Sequence, residues 1–409
     1  MSTINRWVGP QTGRRMQSAV AVKTAVQTQH SAKVGNEANA AHFLESLTVG
    51  TQWSHPGDAQ FDFRSDVVTR PTLPMLQAIV QTTLQDDVYR EDQTTSSFEQ
   101  RMADLTGHEA GAFVLSGTMA NILALRTHLT QPPHAVLCDA RSHVVHWEAG
   151  GMASICGAMV QRVKPSNREF LTLEDVQKHA VLSDDVHLCP TTVVSLENTI
   201  SGLVHPLPEL SRISEWACER GLKVHIDGAR LWEAVATGKG SLKGFAACCD
   251  SLSLDFSKGL GAPMGAMVLG SAEFIARAKR IRKSMGGGMR QAGVLSAAAN
   301  AAVDETFGPG FWGRNAGGKL REAHSMARKV ADMWVKRGGR LIRRTETNIV
   351  WIDLKGSGIS KVDFNEIGEK YGIKLDGKRL VLHYQISKEA LLRLTFVFDE
   401  VALMRDGLL

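Results

Sequence analysis

Long apolar runs are missing from this chain of 409 residues, and none approaches the roughly 18 residues that a membrane-spanning helix needs. The six cysteines form no C-x-x-C pair and have no zinc-ligand spacing. A chain of this length also does not depend on disulfide bonds for its stability. The sequence therefore predicts a soluble cytoplasmic protein with no membrane contact, no metal site, and buried cysteines in the reduced form.

A strong excess of one charge is missing as well, because 47 basic residues stand against 42 acidic ones. No stretch combines clustered cations with aromatic residues, the pattern typical of nucleic-acid binding, so nucleic acid is not expected as a partner. Acidic residues are absent from residues 1–36, where five cations precede Glu37. That bias is compatible with a mitochondrial transit peptide and equally with an extension outside the fold.

The composition that remains, 43% hydrophobic and 22% charged, is enough for a sizeable core. Short apolar runs alternate with helical patterns, which predicts an α/β fold with a mostly parallel sheet and helices on both faces. We expect an N-terminal extension over residues 1–60, a large domain over 61–312, and a smaller C-terminal α+β domain over 313–409.

Two apolar runs, Lys223–Asp227 and Ser251–Ser257, read as buried strands that end in a reactive group followed by glycine. The reactive groups are Asp227 and Lys258, and their separation suits one strand–helix–strand unit, so both would reach one crevice. Pyridoxal phosphate needs such a pair, because a lysine amine binds its aldehyde and a carboxylate keeps its ring nitrogen protonated. Either motif alone is a weak signal, since most Asp and Lys side chains are solvated.

A second weak signal is the turn Ser116-Gly117-Thr118, which lies between an apolar strand and a helical pattern. Open backbone N–H groups and the helix dipole at such a helix start favour phosphate binding. Ser and Thr are also ordinary helix N-caps, so the turn gains weight only beside the strand-end pair.

The segments from His225 to Arg230 and from Ser257 to Gly265 resemble the low-specificity L-threonine aldolases, which are fold type I, aspartate-aminotransferase-like enzymes. The segment from Arg64 to Pro71 looks like the opening signature of that family. The resemblance runs from about Phe61 to the C-terminus. It implies pyridoxal 5'-phosphate as cofactor and cleavage of threonine, allo-threonine or a related β-hydroxy-α-amino acid to glycine and an aldehyde. It also implies a homodimer or homotetramer with shared active sites, active in glycine biosynthesis and threonine catabolism.

Residue roles follow from this resemblance. Lys258 would hold the cofactor, Asp227 would face its ring nitrogen, and His143 would stack on its ring and assist proton movement. Gly117 and Thr118 would hold the phosphate. The further implied contacts are to the cofactor from Arg230, Lys283 and Arg290, and to the substrate from Ser65, Tyr89, Arg230 and Arg379.

Three positions depart from the family pattern: Arg90 stands where the family has glycine, Gln93 where it usually has proline, and Ile200 where many members have a histidine beside the substrate hydroxyl. An apolar side chain cannot hydrogen-bond a β-hydroxyl, so the preferred substrate stays open. The alternatives are an amino-acid racemase or a β-eliminating lyase on the same scaffold, and a cofactor-binding protein without catalysis.

Overall fold

A seven-stranded sheet forms the centre of the computed structural model, which describes Ser46, residues 49–308 and residues 317–408. In this described part the strand order is β1-β7-β6-β5-β4-β2-β3. Strands β6, β5, β4, β2 and β3 are parallel, and β7 is antiparallel to both of its neighbours. The strands are β1 (Ala110–Val114), β2 (Ala135–Asp139), β3 (Met159–Val163), β4 (Thr191–Glu197), β5 (Lys223–Gly228), β6 (Ser251–Asp255) and β7 (Ala266–Gly270). The predicted mostly parallel α/β sheet is confirmed.

Helices flank this sheet, and several begin at a serine or threonine that caps the first turn. The Ser116 hydroxyl, for example, accepts a hydrogen bond from the Met119 backbone N–H at 3.1 Å. The α-helices of the described residues are α1 (Leu73–Val80), α2 (Gln93–Thr106), α3 (Gly117–His128), α4 (His143–His146), α5 (Gly151–Ser154), α6 (Leu173–His179), α7 (Leu207–Glu219), α8 (Leu231–Ala236), α9 (Leu242–Ala246), α10 (Ala272–Ser284), α11 (Gly293–Ala302), α12 (Gly318–Lys336), α13 (Lys361–Lys370) and α14 (Lys388–Arg405).

A second, two-stranded antiparallel sheet pairs β8 (Ile349–Trp351) with β9 (Arg379–Val381). Helices α12, α13 and α14 pack around it, and their apolar side chains form a core separate from that of the large sheet. Phe63, far earlier in the chain, belongs to this second core. The predicted division between residues 312 and 313 falls among residues that the structure does not describe, so it stays a prediction.

Three further expectations concern the N-terminal segment, membrane-spanning helices and the cysteines. The basic segment over residues 1–36 lies outside the described residues. No helix in the described ranges is long and apolar enough to cross a membrane. All six cysteines are unpaired, and Cys138, Cys156 and Cys248 are buried as predicted. The prediction is wrong for the partly exposed Cys189 and Cys249 and for Cys218, which is exposed beside Glu219 at the polar end of α7.

The second core offers a direct stability test at Trp334, whose side chain is 2% exposed. Its ring meets Phe398 edge-on at 5.0 Å, and its indole N–H donates to the Arg340 carbonyl at 2.9 Å. We expect Trp334→Ala to lower the free energy of unfolding by about 3 to 5 kcal/mol, because it removes both the packing and the hydrogen bond. Urea unfolding followed by circular dichroism measures this change.

The neighbouring Val335 is 50% exposed on the same helix and provides the control. Val335→Ala should change the free energy of unfolding by no more than about 0.5 kcal/mol. Equal effects of the two substitutions would show that Trp334 is not part of a packed core.

Candidate active site

The parallel strands bring the predicted acid and amine to one edge of the sheet. Asp227 of β5 is paired in register with Glu197 of β4 and with Ser253 of β6. Lys258 follows the end of β6, and its Nζ lies 3.3 Å from Asp255 Oδ2. These C-terminal strand ends form the predicted crevice, the usual ligand position in α/β sheets.

The buried amide of Asn121, on helix α3, joins two carboxylates in this crevice. Its Nδ2 donates to Asp227 Oδ2 at 2.8 Å and to Glu148 Oε1 at 2.9 Å. Its carbonyl oxygen accepts from the Ser253 hydroxyl at 2.8 Å and lies 3.1 Å from His225 Nε2. Because both ends of the amide have partners, its orientation is fixed, and it holds Asp227 and Glu148 in place.

His143 is anchored at two points. Its Nδ1 lies 2.9 Å from Glu148 Oε1, and its backbone N–H donates to Glu197 Oε2 at 2.8 Å. An ionised carboxylate only accepts hydrogen bonds, so Nδ1 donates and Nε2 of the neutral ring is left as the acceptor. The hydrogen bond to Glu148 raises the pKa of His143, burial opposes this, and the charge of Asp227 adds to the rise.

Burial also shifts the neighbouring carboxyl groups. Burial and the adjacent charge of Asp227 raise the pKa of Glu197 to about 7. Burial raises the pKa of Glu148 as well, although the hydrogen bonds from His143 and Asn121 oppose the rise. The crevice therefore holds a carboxyl group, that of Glu197, whose pKa lies close to neutral pH, as acid–base chemistry requires.

The side chains of His143, Glu148 and Asp227 are also of the types that bind metal ions. Ligand atoms of His143, Glu148 and Asp227 lie within 4.8 Å of one another. However, the Asn121 amide already donates hydrogen to both carboxylates, and His143 donates to one of them. The donors occupy the positions that a cation would take, so the cluster is better described as a hydrogen-bonded network.

Arg230 forms a bidentate ion pair with Asp66, whose carboxylate is fully buried. Arg230 Nε donates to Asp66 Oδ2 at 2.8 Å and an Nη donates to Oδ1 at 2.5 Å. The Asn348 amide donates to the same carboxylate at 3.1 Å. Burial is the largest single influence and acts to raise the pKa of Asp66, but the charge and hydrogen bonds of Arg230, together with the charges of Arg379 and Lys258, outweigh it and hold the pKa well below its usual range. This pair anchors Arg230, so two of its donors are already used.

Arg379, on β9, has a different environment. Its Nη1 donates to the Arg64 carbonyl at 3.1 Å, and no carboxylate of the described chain forms an ion pair with it. Burial and the nearby charge of Arg230 lower the pKa of Arg379 to about 10. A partly buried guanidinium without a full counter-charge favours an incoming anion. Ser65 directly precedes Asp66, so the predicted carboxylate-binding residues do lie together.

The predicted phosphate turn borders the same crevice. A Cβ atom on Gly117 would lie 2.8 Å from Asp255 Oδ2, the carboxylate that pairs with Lys258, so the backbone approaches too closely for a side chain. A Cβ atom on Gly287 would lie 1.8 Å from Met119 Cε. The glycine-rich turn Gly286-Gly287-Gly288 and the start of α3 therefore pack together. Within the described chain, the Gly117 and Thr118 N–H groups have no hydrogen-bond acceptor, which suits a phosphate.

Other predicted contacts lie at the surface. The Tyr89 side chain is 72% exposed, Lys283 is exposed, and Arg290 pairs with Asp86 at 2.7 Å while remaining 60% exposed. Within the described chain, no contact joins these three residues to the crevice. Their roles stay predictions.

Comparison of the chain with models of known protein families identifies its family. Residues 62–357 match the model of the family described as Beta-eliminating lyase. The chain belongs to this family. It is therefore a pyridoxal-phosphate-dependent lyase, and the cofactor and enzyme class predicted from the sequence are confirmed.

Individual relatives differ in the activity that they are named for. The chain is 52% identical to "Aldolase vrtJ" of Penicillium aethiopicum, with 86% of this chain and 88% of that one aligned. It is 49% identical to "Alanine racemase TOXG" of Cochliobolus carbonum (88% and 91%). It is 46% identical to "Low-specificity L-threonine aldolase" of Eremothecium gossypii (81% and 85%), which confirms the predicted resemblance.

A solved structure described as Leishmania major threonine aldolase aligns with a TM-score of 0.71 at 18% identity, covering 84% of this chain and 99% of that one. At this identity the likeness supports the fold, and the fold agrees with the sheet described above.

The His143–Glu148 contact can be tested by titration. Because the folded protein binds the His143 proton more tightly than its ordinary pKa of 6.5 implies, the pair stabilises the fold below pH 6.5, and this contribution is lost as the pH rises through the raised pKa. We expect Glu148→Gln to lower the pKa of His143, since the charged acceptor is the main cause of the rise. NMR titration of the His143 ring, assigned with His143→Asn, measures it.

Glu366→Gln serves as the matched control, because Glu366 is exposed on α13 and makes no contact with His143. It should leave the His143 titration where it is. An unchanged pKa in Glu148→Gln would mean that this carboxylate does not hold the ring.

Proposed function

We propose that the chain cleaves β-hydroxy-α-amino acids of the threonine and allo-threonine type to glycine and an aldehyde. One observation carries the proposal. Lys258, Asp227 and the Glu148-bound His143 share one crevice, and Arg379 beside it has no full counter-charge. An amine, a ring-facing carboxylate, a proton acceptor and an anion site are the groups that this reaction needs.

The residues present fit pyridoxal phosphate. Lys258 would hold it through the amine, the N–H groups of Gly117 and Thr118 would hold its phosphate, and Asp227 would keep its ring nitrogen protonated. When bound, the cofactor supplies an electron-accepting ring for the pair released at the substrate Cα. Asn121 fixes the Asp227 carboxylate and so positions the charge that supports this role.

The orientation of the substrate would depend on the cationic side chains that bind its carboxylate. Arg379 and Ser65 would bind the substrate carboxylate and set the rotation about Cα, so that the Cα–Cβ bond is the one that breaks. Arg230 would contribute mainly through position, because Asp66 already takes its Nε and one Nη. Its remaining Nη has no hydrogen-bond partner among the described residues and would support the carboxylate or the cofactor ring.

His143 would move the proton. With Nδ1 donating to Glu148, Nε2 can accept the proton of the substrate β-hydroxyl as the Cα–Cβ bond breaks and the aldehyde forms. Glu148 stabilises the positive charge that then develops on the ring. The raised pKa of His143 supports this role, because the neutral ring then has a higher affinity for the proton that it accepts.

The proposal also covers the oligomeric state, the metabolic role and the cellular location of the enzyme. Tyr89, Lys283 and Arg290 are exposed on a single chain, which supports a homodimer or homotetramer in which they complete a neighbouring site. We place the enzyme in glycine biosynthesis and threonine catabolism. Its location is the cytoplasm, or the mitochondrion if the basic segment over 1–36 acts as a targeting signal.

A second candidate is racemisation of a small amino acid. Ile200 favours it, because this apolar residue offers no hydrogen bond to a β-hydroxyl, and a relative at 49% identity is named an alanine racemase. The same groups would then release the Cα proton and leave the Cα–Cβ bond intact.

The aldolase proposal predicts glycine and acetaldehyde from L-threonine or L-allo-threonine. Lys258→Ala should lower this activity by at least about a hundredfold, because the amine that holds the cofactor and exchanges protons is removed. A coupled alcohol dehydrogenase assay measures the acetaldehyde. Lys336→Ala, at an exposed lysine of α12, is the control and should keep full activity.

The racemase alternative is tested in the same preparation. Loss of optical rotation with L-alanine, together with deuterium uptake at Cα and no acetaldehyde from either threonine isomer, would replace the aldolase proposal by racemisation. Acetaldehyde without alanine racemisation would remove the second candidate.

A further inference from the structure

A row of buried polar side chains crosses the interface between helix α3 and the sheet. His225 and Asp227 point to one face of β5, and Ser251 and Ser253 stand beside them in register on β6. All of these side chains are buried, with exposed fractions of 0 to 3%. Burying polar groups costs free energy that apolar side chains of similar size would not cost, so the row favours a role beyond stability.

Helix α3 supplies a polar side chain at each end of this row. Asn121 and His128 are about two helical turns apart, so they share one face of α3 and are separated by about 10 Å along its axis. Asn121 is buried and binds Asp227. His128, the last residue of α3, is partly buried and stacks on Phe274 with the ring centroids 4.5 Å apart.

Hydrogen bonds join these side chains into one continuous chain. His128 Nε2 lies 2.8 Å from Ser251 Oγ, which lies 2.9 Å from His225 Nδ1. His225 Nε2 lies 3.1 Å from the carbonyl oxygen of Asn121, whose amide donates to Asp227 Oδ2 at 2.8 Å. The chain therefore runs from a partly exposed ring at the far end of α3 to the carboxylate in the crevice.

Both histidine rings of this chain are neutral near neutral pH. Burial lowers the pKa of His225 to about 4, although the charge of Asp227 opposes the shift. Burial lowers the pKa of His128 to about 3, and the neighbouring ring of His225 acts in the same direction. Each ring therefore carries a single N–H, and its two nitrogens have opposite roles, one as donor and one as acceptor.

The direction of each hydrogen bond follows from the inner end of the chain. Both hydrogens of the Asn121 amide go to carboxylates, so its carbonyl oxygen accepts, and His225 Nε2 carries the hydrogen between them. His225 Nδ1 then accepts from the Ser251 hydroxyl. Because that hydroxyl has one hydrogen, His128 Nε2 donates to Ser251. Every bond of the chain thus donates in the direction of Asp227.

We propose that the members of the chain beyond Asn121 are positioning residues, which act through that amide on the Asp227 carboxylate and thereby on the cofactor ring. They are His225, Ser251 and His128. The inference rests on the proposed role of Asp227 toward the ring nitrogen. Hydrogen bonds that donate in one direction polarise one another, which makes the Asn121 amide a stronger donor. A stronger donor holds the ionised carboxylate more firmly in one orientation.

The tautomers of the two rings provide a test that needs no cofactor. Nitrogen NMR of isotope-labelled histidine rings in the full-length protein should show the Nε2–H form for both His225 and His128. His225→Gln and His128→Phe assign the signals. An Nδ1–H form at either residue would overturn the inference, because the chain would then not donate toward Asn121.

The dissociation constant of pyridoxal phosphate from the full-length protein provides the second test. His225→Leu should raise it about tenfold, because the carboxylate that binds the ring nitrogen is held less firmly. His128→Phe keeps the stacking on Phe274 and should raise it about threefold. His225→Gln should recover most of the affinity, since a glutamine amide both donates and accepts along the chain. An unchanged constant in His128→Phe would exclude that residue from the chain and overturn the inference.

The serial order of the chain gives a readout that general destabilisation does not give. Once His225→Leu has cut the chain, adding His128→Phe should cause no further loss, whereas independent effects would multiply to about thirtyfold. Multiplied effects would overturn the inference. If His225→Leu does not fold, the ring tautomers and His128→Phe, which changes a partly buried residue, still decide it.

His205→Phe is the matched control for His128→Phe. His205 is 2% exposed, stacks on Phe170 with the ring centroids 5.0 Å apart, and lies outside the chain. The substitution should leave the dissociation constant unchanged. A rise equal to that of His128→Phe would mean that any buried histidine ring has this effect, which would overturn the inference.

Failure of this inference is distinguishable from failure of the proposed function. Asp227→Asn should raise the dissociation constant at least as much as His225→Leu does. If it does so while His225→Leu and His128→Phe change nothing, the inference alone fails. If Asp227→Asn changes nothing, the proposed role of Asp227 fails and the inference with it. Absence of acetaldehyde from both threonine isomers would remove the proposed reaction, whereas the tautomers and the dissociation constants would still support the chain.

Discussion

Two neighbouring carboxylates, the buried Asp227 and the partly buried Glu197, impose the constraint on which the site depends. Neighbouring strands pair these residues in register, so the two groups meet at one edge of the sheet. Like charges at such a spacing raise each other's proton affinity unless donors compensate them. Donors offset this repulsion only in part: the Asn121 amide donates to Asp227, and the His143 backbone N–H donates to Glu197, whose pKa stays raised. The positions of helix α3 and of the His143 turn are thereby fixed.

Helix α3 links this constraint to the phosphate turn. It begins at Gly117 and carries Asn121 one turn later, and a rise of about 1.5 Å per residue separates the two by about 6 Å along the axis. The same rigid element therefore presents open N–H groups at its start and a carboxylate anchor in its next turn. The distance between the Gly117 end of this helix and the Asp227 carboxylate is set by helix geometry, which tolerates little change.

Local signals in the sequence predicted the parts of the site that are local in the chain. A short apolar run followed by a reactive residue and glycine identified Asp227 and Lys258, and strand–turn–helix order identified Gly117. Asn121, Glu148 and the role of Asp66 were missed. Asn121 reaches Asp227 across 106 residues and Asp66 reaches Arg230 across 164, and no local pattern encodes such pairings.

A weak signal for the missed network did exist. Asn121 is a polar residue within the apolar run from Met119 to Leu125, and a buried polar side chain needs partners. The same applies to the ion pair at Arg230, whose predicted contact with the substrate is limited by Asp66. Sequence patterns indicate which residues are reactive, whereas the tertiary fold decides which of their donors remain available.

Arg90 occupies a backbone conformation that usually requires glycine. Its φ of 61° is in the left-handed region, where glycine is the favoured residue, and the resemblance places a glycine there. Arg90 bears a cost of about 1 kcal/mol or more, which persists only where neighbours determine the turn. Asp87 supplies that restraint: Arg90 N–H donates to its carbonyl at 3.0 Å, and its carboxylate pairs with the buried Arg282 at 2.7 Å. The turn is therefore held by the contacts of Asp87 and does not depend on glycine at position 90.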